Sequence, residues 1–166
     1  MSVIEVTSDH KLVWQAQVFD CALGKGGVKE DKREGDGATP VGRFALRYAL
    51  YRADRIERPV TALNVREIHE NDGWCDDPDH SGYNRPVTLP FPASHEKLWR
   101  DDHIYDMIVV MGHNDNPPVP YKGSAVFFHL AHPDFTPTEG CVAVNLDVMR
   151  HILKGVDNQT VMDIRL

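Results

Sequence analysis

Gly123-Ser-Ala-Val-Phe-Phe-His129-Leu-Ala-His132-Pro-Asp-Phe-Thr-Pro-Thr138-Glu-Gly140-Cys141-Val-Ala-Val144 holds two apolar runs, Ser124 to Leu130 and Val142 to Val144, around a polar, proline-containing loop. Runs this short, bounded by Gly and Pro and rich in β-branched and aromatic residues, read as buried strands. A third such run, Tyr105 to Met111, lies just upstream, with a turn at Asn116-Pro117-Pro118 between. Downstream, Leu146, Met149, Ile152 and Leu153 recur at helical spacing, and Asn145 stands where an N-cap belongs. Thr160 to Leu166 alternates and predicts a closing strand.

Toward the N-terminus the pattern is again β. Ser2 to Thr7 carries Val3, Ile4 and Val6, and Lys11 to Val18 alternates with Leu12, Trp14, Ala16 and Val18 on one face. Asp9-His10 between them predicts a hairpin. Gly24 to Gly27 and Gly35 to Gly37 form a glycine-dense polar loop ending at Thr39-Pro40, and Phe44 to Leu50 predicts a strand. Arg52 to His80 is charged with little periodicity. Within and after it, Gly73 to Pro78 and Tyr83 to Pro86 read as ordered surface loops held by aromatic anchors. Ser94 to Arg100 predicts a short helix with Ser94 as N-cap and Glu96 in its first turn. The sum is a mainly β single domain over residues 1–166, a β-sandwich or open barrel with one or two short helices.

Composition narrows the function classes. The 166 residues are 42% hydrophobic and carry a net charge of −7, which suits a globular domain and argues against a phosphate-backbone binder. The basic stretch Lys25 to Arg33 is interrupted by Glu30 and Asp31 and reads as a polar loop, so nucleic acid is not an expected partner. No apolar run approaches the roughly 18 residues of a membrane-crossing helix, so no transmembrane segment is expected. Met1 to Thr7 shows neither the basic start nor the apolar core of a secretory signal. A cytosolic protein and a chain beginning after a removed leader are both compatible with that. Three cysteines, Cys21, Cys75 and Cys141, are too few and too irregularly spaced for a disulfide framework or a zinc knuckle, which leaves at least one free thiol.

Chemistry concentrates in the opening stretch. His129 ends an apolar strand, and Cys141 follows a glycine and opens another, twelve positions on. A thiol needs a neighbouring base to react at neutral pH, and imidazole is the usual one. Gly140 would leave the sulfur approachable, and the N–H groups of Gly140 and Cys141 are expected to stabilise an oxyanion. On spacing alone, a buried structural cysteine and a hydrogen-bonded core histidine remain open. A zinc site built from His113, His129, His132 and Cys141 competes as well, without any familiar ligand spacing; no metal and no cofactor is expected.

Thr138-Glu-Gly140-Cys141 after a His-bearing strand resembles the active-site signature of the L,D-transpeptidase (YkuD-type) catalytic domain. Cys21-Ala-Leu-Gly24-Lys-Gly-Gly27-Val and Gly35-Asp-Gly-Ala-Thr39-Pro40-Val-Gly42-Arg-Phe44 resemble that family's strand with its glycine turn and its Thr-Pro-x-Gly-x-Phe element. His129, Thr138, Gly140 and Cys141 fill matching places. Glu139 stands where a second His is usual and Ala143 where an Arg is usual, and the His-to-Cys loop is short, which marks a divergent branch with Gly-Cys-Val-Ala.

The resemblance implies the family's β fold and a cysteine acyltransferase of the cell envelope. Cys141 would attack a stem-peptide carbonyl, and the resulting thioester would be taken by the amine of a second peptidoglycan stem. The crosslink would be 3-3 or a variant such as 1-3. A hydrolase of stem peptides (an L,D-carboxypeptidase or amidase) and a non-catalytic wall-binding module are the alternatives. His113, Thr138, Glu139, Trp74, Tyr83 and Arg85 are expected to contact substrate, the last supplying the guanidinium that position 143 lacks. For His113 a loop role bonding local backbone stands beside this, and His132 is expected in a loop role. Cys21 and Cys75 are expected to be structural. Oligomeric state is left open.

Overall fold

The computed structural model describes residues 2–166. In chain order its first strands are β1 (Val3–Thr7), β2 (Lys11–Trp14), β3 (Gln17–Asp20), β4 (Val28–Lys29), β5 (Thr39–Pro40), β6 (Gly42–Tyr51) and β7 (Val65–Glu67). Then follow β8 (Asp72–Cys75), β9 (Pro86–Thr88), β10 (His95–Lys97), β11 (Met107–Met111), β12 (Phe127–Leu130) and β13 (Val142–Val144). The helix α1 (Leu146–Gly155) precedes the last strand, β14 (Val161–Arg165). The fold is mainly β, as expected, with one helix among the described residues.

Nine strands form the main sheet in the order β13-β12-β11-β6-β14-β1-β2-β3, with β7 also paired to β6. Leaving β3, the chain meets the far edge at β13. The Ala22 N–H donates to the Ala143 carbonyl at 2.8 Å, and the Ala143 N–H donates back to Ala22 at 3.0 Å. This bridge brings the two ends of the sheet together in a nearly closed barrel, which removes an exposed edge. A second bridge pairs Gly24 with Thr138 and carries the glycine-dense loop onto the segment preceding Cys141.

The strands near the closure are buried on both faces, so they read as continuous apolar runs. Val109, Phe128, Leu130, Val142 and Val144 point into the main core. There they meet Met149, Ile152 and Leu153 of α1, whose apolar residues fall on one side of the helix. Ile108, Val110, Phe127 and Cys141 point the opposite way, into a second cluster with Trp74, Leu98 and Tyr105. A small three-stranded sheet, β10-β8-β9, supplies the cover for that second face.

Three local expectations are corrected. The alternation from Lys11 to Val18 breaks at Gln15 and Ala16, whose φ of 49° and 64° make a tight turn between β2 and β3, and Val18 ends up largely exposed. Ser94 to Arg100 is not a helix but contains β10. The Ser94 hydroxyl donates to Asp76 at 2.6 Å instead of capping a helix, and Leu98 is anchored in the second cluster. Gly73 to Cys75 and Pro86, expected in surface loops, belong to β8 and β9.

The cap of α1 is as expected: the Asn145 side chain accepts the Val148 N–H at 2.9 Å. Asn145→Ala is therefore expected to lower stability by about 1 kcal/mol. Urea unfolding should show a lower midpoint at unchanged m-value, and an unchanged midpoint would remove the cap from the account.

Candidate active site

Parallel pairing of β12 with β13 sets Ala143 opposite His129 and leaves Cys141 two residues before it, on the same face. Phe128, His129 and Leu130 lie opposite Val142, Ala143 and Val144. His129 and Cys141 share the face that looks away from the main core, because residues two apart on a strand point the same way. Both line one cleft of about 490 Å³.

The imidazole is held in one tautomer. Its Nδ1–H donates to the Leu130 carbonyl at 2.9 Å, and the ring packs edge-on against Tyr105 at 5.1 Å between centroids. Nε2 therefore carries the lone pair and has no hydrogen-bond partner among the described residues. Cys141 Sγ donates to the Ala125 carbonyl at 3.3 Å and accepts the Phe127 N–H at 3.3 Å. No hydrogen bond joins Sγ to the imidazole.

Burial sets the resting protonation. Cys141 is 6% exposed and His129 3%. Loss of solvation pushes the thiol up to about 12, with Glu96 adding to the rise, and the Phe127 N–H and Lys32 pulling it down. The same loss pushes the imidazole down to about 4 against a supporting bond from Leu130. Near pH 7 both groups are thus neutral, a thiol and a free imidazole base lining one cleft.

The turn before Cys141 is rigidly built. Thr138 Oγ1 donates to the Cys141 carbonyl at 2.7 Å and accepts the Gly140 N–H at 3.0 Å. That second bond commits the Gly140 N–H, expected above to serve an oxyanion, to the turn itself. Gly140 sits at φ 137°, and a Cβ there would come within 2.7 Å of the Ala38 carbonyl, so only glycine fits. Glu139, on the cleft rim, pairs with Lys25 at 2.8 Å.

The other expected residues divide. Thr138, Glu139, Gly140 and His132 line the cleft, whereas Trp74, Tyr83, Arg85 and His113 do not. Trp74 is buried, with Nε1–H donating to Asn84 Oδ1 at 2.9 Å and its ring edge-on to Phe127, the residue whose N–H reaches Cys141. Tyr83 donates its hydroxyl proton to Glu34 at 2.6 Å and accepts the Gly123 N–H at 3.0 Å, which fixes a carboxylate of the cleft wall. Arg85 lines a separate cavity with Trp74 and Met111, so it is not positioned to replace the missing Arg. His113 lies beneath Gly123 against Phe44, with Nδ1 unpartnered.

Sequence reading missed the polar wall. Lys32, Glu34, Glu96, Arg100 and Tyr105 all line the cleft. Burial pushes the Glu96 carboxyl up, and the Tyr105 hydroxyl donates to it. Among the described residues no three His, Cys, Asp or Glu side chains converge as a metal-holding group.

Burial of His113 and His129 links stability to pH. Both are pushed down to about 4 from 6.5, so between those values the unfolded chain takes up protons that the native state refuses. Stability contributed by this pair is full above pH 6.5 and lost as pH falls toward 4, at a slope of up to about 1.4 kcal/mol per pH unit for each histidine. Urea midpoints measured between pH 7 and 4.5 should fall less steeply in His113→Gln than in the parent. Equal slopes would contradict the assignment.

With this geometry in view, the family comparison covers nearly the whole chain. The family model described as the L,D-transpeptidase catalytic domain, YkuD, matches residues 2–164. No curated protein matches the chain. A nearly closed β barrel, a buried Cys/His pair on adjacent strands and a match over residues 2–164 lead to one conclusion: this chain belongs to the YkuD family of L,D-transpeptidase catalytic domains.

Proposed function

We propose that the chain is a cysteine-dependent peptidoglycan L,D-transpeptidase that joins two stem peptides through a thioester on Cys141. The observation that carries this reading is the register of β12 and β13, which presents an oriented imidazole and a thiol to one cleft. The family implies peptidoglycan substrates and is generally associated with the cell envelope.

The resting groups are neutral, so deprotonation accompanies attack. Sγ gives up its bond to the Ala125 carbonyl, its proton passes to His129 Nε2, and the sulfur adds to the carbonyl carbon of the donor's L-residue. The Phe127 N–H stays on the sulfur and stabilises the charge it develops. With the Gly140 N–H committed to Thr138, the Cys141 N–H is the backbone donor of the two left for the oxyanion. Collapse expels the amine of the D-residue, which takes the proton from His129 and leaves the thioester. The acceptor stem's side-chain amine then adds to the thioester and hands a proton to Nε2. Collapse forms the new amide and restores the thiol. Whether the bond is 3-3 or 1-3 depends on which L-residue reaches Sγ. Ala143 puts only a methyl group where an Arg is usual, so donor anchoring falls to other residues.

Purified protein given disaccharide tetrapeptide and pentapeptide should yield crosslinked dimers, identified by fragmentation mass spectrometry. Cys141→Ala should abolish them, and His129→Gln should slow them by roughly 10²–10⁴. Shortened monomers alone would assign hydrolysis instead. Absence of any Cys141-dependent product would overturn the enzymatic reading in favour of a wall-binding module.

A further inference from the structure

Two cationic side chains line the cleft, and they differ in how far they are already engaged. Arg100 is spoken for: Nε and Nη2 donate to the two Asp102 carboxylate oxygens at 2.8 and 2.7 Å, and its guanidinium lies 5.3 Å from the Tyr105 ring centroid. Lys32 is only 7% exposed, yet among the described residues its Nζ donates to a single acceptor, Asp36 Oδ1 at 3.0 Å. Asp36 in turn accepts the Arg33 and Ala38 N–H groups at 2.7 and 2.8 Å, so its charge is shared among three donors. An ammonium has three protons to give, and one with donors facing a cleft is suited to an anionic ligand acceptor there.

The surroundings of Nζ place it against Gly140, the residue before the nucleophile. A Cβ on Gly140 would lie 3.2 Å from Lys32 Nζ, and a Cβ on Gly123 would lie 3.0 Å from Lys32 Cε. Glycine at both positions leaves room for the ammonium head against the residue that precedes Cys141. Position 143, opposite His129, is an alanine and brings no charge of its own.

We propose that Lys32 is the carboxylate-binding residue of this cleft, pairing with the free α-carboxylate of the donor residue whose amine leaves when Cys141 is acylated. The proposal rests on the transpeptidase reading for the identity of that carboxylate. In a 3-3 donor the leaving residue is D-alanine, whose carboxylate sits on the carbon bonded to the scissile nitrogen. In a 1-3 donor the leaving residue is D-glutamate linked through its side chain, so its α-carboxylate occupies the same place. One ammonium beside the thiol therefore serves either bond. The substrate class is an L–D amide bearing an anion two bonds from the leaving nitrogen.

The test separates the carboxylate site from the peptidoglycan chemistry. Cys141 alkylation is followed by peptide mass spectrometry with iodoacetate and with iodoacetamide, which differ in having a carboxylate or a carboxamide. Any effect of Lys32 on the thiol itself slows both reagents alike and cancels in the ratio of rates. Lys32→Met should lower the iodoacetate-to-iodoacetamide ratio about tenfold, and Lys32→Arg should largely keep it. Lys32→Gln serves as the neutral variant if the Met protein does not fold. In turnover assays the parent should prefer a donor ending in D-alanine over its D-alaninamide analogue by at least about tenfold in kcat/KM, and the neutral variants should lose that preference. An unchanged alkylation ratio, or a carboxylate preference that survives in Lys32→Met, overturns the proposal. A ratio that falls as expected while neither donor is turned over supports the carboxylate site and removes the transpeptidase reading alone.

Discussion

Closure of the main sheet is the constraint on which the rest of this structure depends. The reciprocal Ala22–Ala143 hydrogen bonds tie the first and last edges of the barrel at β13, within two residues of Cys141. Without that tie, β13 would be a three-residue edge strand paired to β12 alone, directly after the candidate nucleophile. With it, the Thr138 N–H donates to Leu23 at 2.9 Å, the Lys25 N–H donates to Thr138 at 2.8 Å, and the glycine-dense loop is pressed against Gly140. A Cβ on Gly24 would approach the Gly37 carbonyl to 2.2 Å and the Gly140 Cα to 2.9 Å. The glycines of the N-terminal loop thus serve the site at the other end of the chain.

The same closure explains why the thiol and the imidazole are buried and uncharged at rest. Strands buried on both faces put Cys141 and His129 out of water, which favours the neutral form of each. A neutral thiol is protected from oxidation and from adventitious electrophiles, since the thiolate is the reactive form. In the proposed mechanism the energetic demand would fall at the moment of attack, when the Phe127 N–H and the Leu130-oriented imidazole would favour the developing charges. Such pre-aimed donors in a poorly solvated cleft act more strongly than they would in water.

Much of this was legible in the sequence, and the exceptions have physical reasons. Short β-branched and aromatic runs identify β11 and β12, helical spacing and Asn145 identify α1, and the preceding glycine marks Cys141. Those signals are local, one residue type repeating at one period. The turn at Gln15 and Ala16 carries no glycine to announce its positive φ, so β2 and β3 read as one strand. Ser94 is a good cap in isolation, but its hydroxyl finds Asp76 and Leu98 finds a second core. The polar wall was the least legible part. Lys32, Glu34, Glu96 and Arg100 come from charged segments without periodicity and converge only through the barrel closure and the small sheet. Arg85 reads from the sequence as a substitute for the guanidinium absent at position 143, but it lines a separate cavity, and Asp76, Glu96 and Arg100 wall the cleft instead.

The central claim is that Cys141 carries the donor as a thioester. Intact-protein mass spectrometry after acid quench of a donor-only reaction addresses it directly. One adduct is expected, with the mass of the donor less its leaving D-residue, mapped to the peptide containing Cys141 and absent from Cys141→Ala. An adduct on Cys21 or Cys75, an adduct that persists in the variant, or none at any quench time would contradict it.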